Sequence, residues 1–396
     1  MMVAIYVHIP FCEKKCPYCD FNSYSGYGAL HDAYVDALCY EMAAVATRGH
    51  EIGAHYVART LFFGGGTPTL LEPRHFAKLL ASAHQQFGWH EGLETTTEAN
   101  PGTINRTYMQ DLRSLGINRV SLGVQSLDDV MLRRLGRIHN ARQAVEAIDS
   151  CRNAGIENMN MDLMYGLPDQ SESHWKKTIT QALYLSPEHF SLYPLTIEQD
   201  TPFWKLQETG KLVVPGEDEV AEMHEFAAEA LGAAGYEHYE LSNWAIEPER
   251  SSGAMASYRC KHNLTYWHNE PYIGLGAGAH SFIHGERYHN TMSPPDYVRG
   301  IETTEDIVSF RERIDQSLEM AETLMLGLRL SEGIYRDTFH TRFCCELDEV
   351  VGDVLSQAIQ QGLVSDNGEA VALTRRGRLL ANEVFVPILD KLTQKA

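Results

Sequence analysis

Cys12-Glu13-Lys14-Lys15-Cys16-Pro17-Tyr18-Cys19 puts three thiols into one short loop directly after the apolar run 3–8, with no fourth cysteine close by. Thiolates are the soft ligands that hold iron-sulfur clusters, normally four to a cluster. Three thiolates on a four-iron cluster leave one iron open to a ligand that the chain does not supply. Two other chemistries compete for the same residues. Cys16 and Cys19 alone form a C-x-x-C redox pair after a strand, as in glutaredoxin-like domains of about 100 residues. Here the strand-helix pattern continues for over twice that length, and Cys12 would be superfluous. A structural zinc needs a fourth Cys or His, usually from a second pair, and no such pair is found.

Other residues at the ends of apolar runs could hold a second ligand. Phe62-Phe-Gly64-Gly65-Gly66-Thr67-Pro68-Thr69 is a glycine run, which lets backbone N–H and C=O groups approach a ligand closely. It lacks the Lys-Ser/Thr of a P-loop and the G-x-G-x-x-G of a dinucleotide site, which weakens a nucleotide-phosphate reading. Glu98 ends the third run, where a carboxylate pairs with an ammonium unless it is merely a solvated loop acid. Gln125 ends the fourth and Asp162 lies within the fifth, both suited to ribose hydroxyls. An acid inside an apolar strand requires such a partner. Arg137 can grip a carboxylate with two parallel hydrogen bonds, whereas its neighbours Arg133 and Arg134 read as a solvated face. S-adenosylmethionine carries an ammonium, a carboxylate, two ribose hydroxyls and an adenine, and each has a partner in this set.

These residues need a scaffold that brings strand ends together. Apolar or β-branched runs recur at 3–8, 59–63, 94–99, 119–124, 158–163 and 189–195, with helical patterns between them. One face of 32–46 carries Val35, Leu38 and Met42; Pro73 opens a helix with Phe76, Leu79, Leu80, Ala83 and Phe87 at helical spacing. Further helices are expected at 108–115, 128–135, 141–154, 173–185 and 218–234. Six strands alternating with six helices imply an α/β fold with a parallel sheet, either open and doubly wound or curved into a partial barrel; spacing alone leaves both open. In either form ligands gather at the carboxyl ends of the strands. Segments 236–244 and 264–282 break the alternation and read as strands and loops. From 306 the pattern becomes helices at 313–330 and 347–361, a hairpin around Asp366-Asn-Gly, and a helix over 374–389 capped by Thr374, a winged-helix-like module. Its Arg375, Arg376 and Arg378 are too weak an electrostatic footprint in an acidic chain to predict DNA binding.

The chain has 396 residues, 44% of them hydrophobic, and 53 acids against 33 bases give a net charge of −20. That balance opposes nonspecific attraction to nucleic acid and to anionic lipid. Eight cysteines in so long a chain are no disulfide scaffold, and cluster ligands must stay reduced, so a cytoplasmic location is expected. No signal segment and no run of 18 apolar residues is seen, so any membrane contact would be peripheral. A homodimer is an open assembly.

Together the motifs resemble the HemW heme-chaperone family, relatives of oxygen-independent coproporphyrinogen III oxidases within the radical S-adenosylmethionine superfamily. The resemblance rests on 6–12, 16–23, 64–68, 98–103, Gly123-Val-Gln-Ser126, Leu135-Gly-Arg-Ile-His139, Gly166-Leu-Pro168 and His262-Asn-Leu-Thr-Tyr266-Trp267. It implies a partial (β/α)6 TIM-like barrel over 1–235, a β-rich extension over 236–305 and the winged-helix-like α+β domain over 306–396. It also implies a 4Fe-4S cluster on Cys12, Cys16 and Cys19, methionine-end contacts from Gly65, Glu98 and Arg137, and ribose contacts from Gln125 and Asp162. Tyr6, Tyr18, Gly66 and Thr67 match positions near S-adenosylmethionine in the related oxidases. His262, Tyr266 and Trp267 match the family's H-N-x-x-Y-W signature and could ligate and stack a heme. The family's role is heme binding and delivery to respiratory membrane proteins; the alternative is oxidative decarboxylation of coproporphyrinogen III. Phe21 separates them, because the oxidases carry a further cysteine there. Replacing Cys12, Cys16 and Cys19 together by alanine should abolish the visible absorbance of the reconstituted cluster; a retained cluster would refute the ligand assignment.

Overall fold

The computed structural model describes residues 1–247 and 257–393; part of the expected extension, 248–256, lies outside the described residues. The six apolar runs form six strands, β1 (Met2–Ile9), β2 (Val57–Gly65), β3 (Gly88–Ala99), β4 (Arg119–Gln125), β5 (Met159–Tyr165) and β6 (His189–Pro194). Neighbours pair in parallel and lie in the sheet in chain order. Sequential order without reversal means that every crossover turns the same way, which curves a sheet toward a barrel and excludes the doubly wound alternative. The fold is a partial (β/α)6 TIM-like barrel.

The strand pleat explains the composition of each run. On β4, Val120, Leu122 and Val124 are buried in the main core, while Arg119, Ser121, Gly123 and Gln125 face a central cavity. On β5, Met159, Met161 and Leu163 pack outward and Asn160, Asp162 and Met164 line that cavity. Helices cover the outer face. His31–Glu51 buries Val35, Leu38 and Met42, and Pro73–Gln86 buries Phe76, Leu79, Leu80 and Ala83, as their spacing predicts. Glu172–Leu185 is tied to Glu217–Ala233 by Trp175, whose Nε1–H donates to the Met223 carbonyl at 2.7 Å. Side-chain caps from Asn105, Asp128, Asn140 and Ser171 close the N-termini of four helices.

Both barrel edges are extended, giving a twelve-stranded sheet among the described residues. Tyr272–Leu275 pairs in parallel with β1, followed by antiparallel His280–Ile283, Glu286–Asn290 and Val308–Arg313; on the other side Asn243–Ile246 pairs antiparallel with β6. The H-N-x-x-Y-W segment, expected among strands and loops, is instead the helix Lys261–Trp267. Its N-terminus is capped from another element: the Glu94 carboxylate on β3 accepts from the Lys261 and His262 amides at 3.2 and 3.1 Å. A cap supplied from 167 residues away carries no local signal.

Val308–Arg313 therefore belongs to the large sheet, and a second core begins beyond it. Gln316–Gly327, Arg336–Phe343 and Leu347–Gln360 pack with a three-stranded sheet of Ile334–Tyr335, Ala370–Leu373 and Val364–Asp366, a winged-helix-like arrangement. Arg336–Phe343 escaped the sequence reading because only Phe339 and Phe343 in that octet are buried. Thr374 caps a helix as expected, but the helix runs only over Arg375–Leu379; Leu380 leaves helical angles (φ −118°, ψ 32°) and Asn382–Thr393 restarts to bury Val384, Phe385 and Ile388. The first piece is pinned to the hairpin where Gly377 packs on the Leu363 carbonyl. Its arginines bond within the molecule: the exposed Arg375 pairs with Glu229 at 3.2 Å, Arg376 donates to the Gln361 carbonyl at 3.1 Å, and the half-buried Arg378 meets His238 Nδ1 at 3.1 Å. No helix among the described residues is long and apolar enough to cross a membrane.

Glu94 is buried, holds two amides and neighbours the buried Arg119 guanidinium. Glu94→Ala should lower unfolding stability by about 1–3 kcal/mol, read as a lowered denaturation midpoint, because it orphans buried donors. An unchanged midpoint would show that the cap is dispensable.

Candidate active site

The cysteine loop is fastened at both ends by backbone. Phe11–Cys12 pairs with Tyr24–Ser25, Gly66 N–H donates to the Ile9 carbonyl at 2.9 Å, and Thr67 N–H donates to the Phe11 carbonyl at 2.7 Å. Gly66 must be glycine, since a Cβ there would lie 2.6 Å from the Phe11 carbonyl oxygen. Between these ends, Cys19 N–H closes a turn on the Cys16 carbonyl at 3.2 Å, and Tyr18 packs with Met131, Leu135, Met164, Leu167 and Phe203. The loop thus rests on the helices that follow β4 and β6.

The loop roofs a cavity of about 480 Å³ at the carboxyl ends of the strands. Cys12, Cys16, Cys19, Tyr18, Gly65, Gly66, Thr67, Glu98, Gln125, Arg137 and Asp162 all line it. Three sulfurs have polar neighbours: Thr67 Oγ1 reaches Cys12 at 3.8 Å, Arg137 Nη1 reaches Cys16 at 3.6 Å, and Ser23 Oγ lies 4.0 Å from Cys19. Such contacts orient thiolates and tune a cluster. Burial raises the Cys12 and Cys19 thiols, so ligation must drive their deprotonation. Among the described residues no three His, Cys, Asp or Glu side chains converge on a single-ion position. The thiols nevertheless share one cavity wall, which suits a polynuclear cluster that offers each thiolate its own iron.

Below the loop the cavity is acidic and polar. Gly65 N–H donates to Glu98 Oε2 at 2.9 Å; Gly65 has φ +116°, and a Cβ would strike the His8 ring at 2.5 Å. Burial, then the nearby Asp162, pushes Glu98 up to about 7. Asp162 is raised by burial and held by Asn160 Nδ2 at 2.7 Å and Ser121 Oγ at 3.2 Å. Two close carboxylates in a desolvated cavity favour a cationic ligand. Arg137 donates through Nη2 to the Gly123 carbonyl at 2.8 Å and leaves Nε buried without a partner among the described residues. Gln125 enters the cavity through an irregularity: the β4–β5 register shifts at Gly123/Gln125, and Gln125 has φ +65°. Bulges of this kind re-aim side chains beside ligand sites.

Four residues expected at a site are not brought here. Tyr6 lies in the barrel interior, its hydroxyl 3.0 Å from His8 Nδ1 and its ring stacked on Phe62. His262 is buried with Nδ1 2.7 Å from Thr60 Oγ1 and Nε2 3.0 Å from the Tyr266 hydroxyl. Burial and the Arg119 charge lower it to about 3, so the imidazole stays neutral, and both ring nitrogens are engaged here. In this arrangement its ring is stacked on Phe62. Tyr266 supports it, and Trp267 lies on a different face. Conversely, the sequence reading passed over Arg119, Ser121, Asn160, Ser191, Tyr193 and Asn263, all of which line the cavity. For the strand residues the signal was present as polar side chains at alternate positions within β4, β5 and β6.

The family described as the Radical SAM superfamily matches residues 6–182, and the HemN C-terminal domain matches 314–380. A heme chaperone HemW from Bacillus subtilis (strain 168) is 36% identical over 99% of this chain and 100% of its own. Another from Escherichia coli (strain K12) is 35% identical over 97% of both. Among solved structures, coproporphyrinogen III oxidase (HemN) from Escherichia coli superposes with a TM-score of 0.82 over 98% of this chain and 89% of that one, at 20% identity, a likeness of fold. The superfamily implies a 4Fe-4S cluster and S-adenosylmethionine, and the donor set of the cavity fits both.

An ammonium-bearing ligand should bind Glu98 as the carboxylate. Affinity for S-adenosylmethionine should therefore fall by about tenfold per unit as pH drops below about 7. Calorimetric titration between pH 5.5 and 8.5 checks this, and Glu98→Gln should weaken binding and flatten the profile.

Proposed function

The chain belongs to the HemW family of radical SAM proteins, and from that premise we propose that it binds heme and delivers it to heme-receiving respiratory membrane proteins. Cys12, Cys16 and Cys19 hold the cluster, while Gly65, Gly66, Thr67, Glu98, Gln125, Arg137 and Asp162 hold S-adenosylmethionine. When bound together, these two groups supply one-electron chemistry; the chain's own part is to orient the ligand and shield it from water. Glu98 and Asp162 meet its cationic and hydroxyl groups, Arg137 its carboxylate, and Tyr18 closes the wall beside the loop.

Phe21 is the observation that carries the choice of transfer over porphyrinogen oxidation. It lines the cavity mouth, 64% exposed, at the position where the related oxidases place another cysteine. A phenyl ring there offers an apolar surface and no sulfur or exchangeable proton.

Purified protein should bind hemin at near-stoichiometric levels by absorbance titration. Reconstituted protein incubated anaerobically with coproporphyrinogen III, S-adenosylmethionine and a reductant should leave the substrate unconverted. Accumulation of protoporphyrinogen IX would replace the chaperone reading with the decarboxylating one.

A further inference from the structure

A second and larger cavity, of about 730 Å³, lies at the amino ends of the barrel strands, the opposite end from the cysteine loop. One wall is the outer face of Lys261–Trp267, including Leu264, Trp267 and the following His268. The facing wall is the start of the winged-helix-like unit, with Ile334, Tyr335 and Phe339. Arg59 and His90, from β2 and β3, stand at one side.

The walls are tied together by hydrogen bonds from Arg342 and Asn269. Arg342 donates to the His268 carbonyl at 3.0 Å, to the Asn269 carbonyl at 2.8 Å and to Glu319 Oε1 at 2.7 Å. Asn269 Nδ2 adds a bond to Thr323 Oγ1 at 3.0 Å. The cleft is thus preformed. Its chemistry is mixed: aromatic and aliphatic walls, cationic Arg59 and Lys261, the acids Glu270 (paired with Arg59) and Glu332, and two exposed imidazoles, His90 and His268. Neither imidazole has a side-chain hydrogen bond among the described residues, unlike His262 on the helix that His268 ends. The Trp267 indole N–H is buried and lacks an acceptor among the described residues, while Arg329 lies 5.4 Å over the ring.

Resting on the heme-binding reading above, we propose that this cleft is the heme site, with the macrocycle against Trp267 and the exposed Tyr335, His268 or His90 on the iron, and Lys261, together with Arg59 drawn from its pair with Glu270, facing the propionates. A flat, apolar, metal-bearing dicarboxylate matches this combination: planar walls bury the ring, a free imidazole ligates iron, and cations meet carboxylates. Both cavities carry acids, but Glu98 and Asp162 in the smaller cluster cavity are desolvated without a cationic partner of their own among the described residues, whereas in the cleft Glu270 is paired with Arg59 and Glu332 with Arg259. The helix Lys261–Trp267 stands between the two cavities, with Asn263 lining the cluster cavity and Leu264 the cleft, so heme is held on the other side of that helix from the open iron.

Full-length wild type, Thr338→Trp and the double variant His90→Ala/His268→Ala are titrated with hemin and with metal-free protoporphyrin IX, alongside thermal midpoints and cluster reconstitution. Thr338 is an exposed residue of the cleft, so the larger side chain fills space without disturbing a core. Thr338→Trp should weaken both porphyrins by about tenfold or more. The double histidine variant should weaken hemin to a similar degree, shift its Soret band and leave protoporphyrin IX binding unchanged. All three proteins should keep the wild-type midpoint and cluster. Hemin affinity and Soret position equal to wild type in both variants would overturn the cleft assignment while leaving heme binding intact; absence of hemin binding by wild type would overturn both readings.

Discussion

Two backbone hydrogen bonds, Gly66 N–H to Ile9 and Thr67 N–H to Phe11, zip the cysteine loop onto the end of β2. They require a residue without Cβ at 66, because the strand end and the loop approach within a van der Waals contact. Once zipped, the three thiols, the glycine run and Glu98 share one cavity, and Gly65 can donate to the Glu98 carboxylate. The rest of the candidate site is arranged around this join: β3 brings Glu98, β4 Gln125, β5 Asp162, and the segment after Asp129–Arg134 brings Arg137.

The barrel separates two environments. At the carboxyl ends of the strands, desolvated acids and two arginines make a cavity suited to a charged, hydroxyl-rich ligand. At the amino ends, the helix Lys261–Trp267 stoppers the barrel with His262 and turns Leu264 and Trp267 outward against the winged-helix-like unit. Glu94 supports that stopper by accepting its first amides, and Arg119 beneath it supplies the compensating charge. One short helix thereby has a polar inner end that serves the barrel and an outer face that serves a cleft.

Some of this was legible in the chain itself. Six parallel strands, their covering helices and the wing hairpin follow from apolar periodicity and from turn residues such as Asn367-Gly368, where the signal is carried by residues next to one another. The cysteine triplet is equally local. Arg119, Asn160 and Ser191 were overlooked because each strand reads as an apolar run when its polar alternates are ignored. The H-N-x-x-Y-W helix was misread as strand and loop because Glu94, which caps it, lies far away in sequence. The helix expected over 374–389 broke at Leu380 because its two halves pack on different partners.

The sequence by itself determined which residues bear chemistry and the order of the elements carrying them, because residue type, spacing and hydrophobic period are local properties. Only the tertiary structure decided that the sheet curves rather than reverses, that His262 is spent on Thr60 and Tyr266, and that His268 and His90 are not. Those outcomes depend on which distant groups meet: a ring nitrogen here is engaged by a buried partner 202 residues away, and nothing in its own neighbourhood says so.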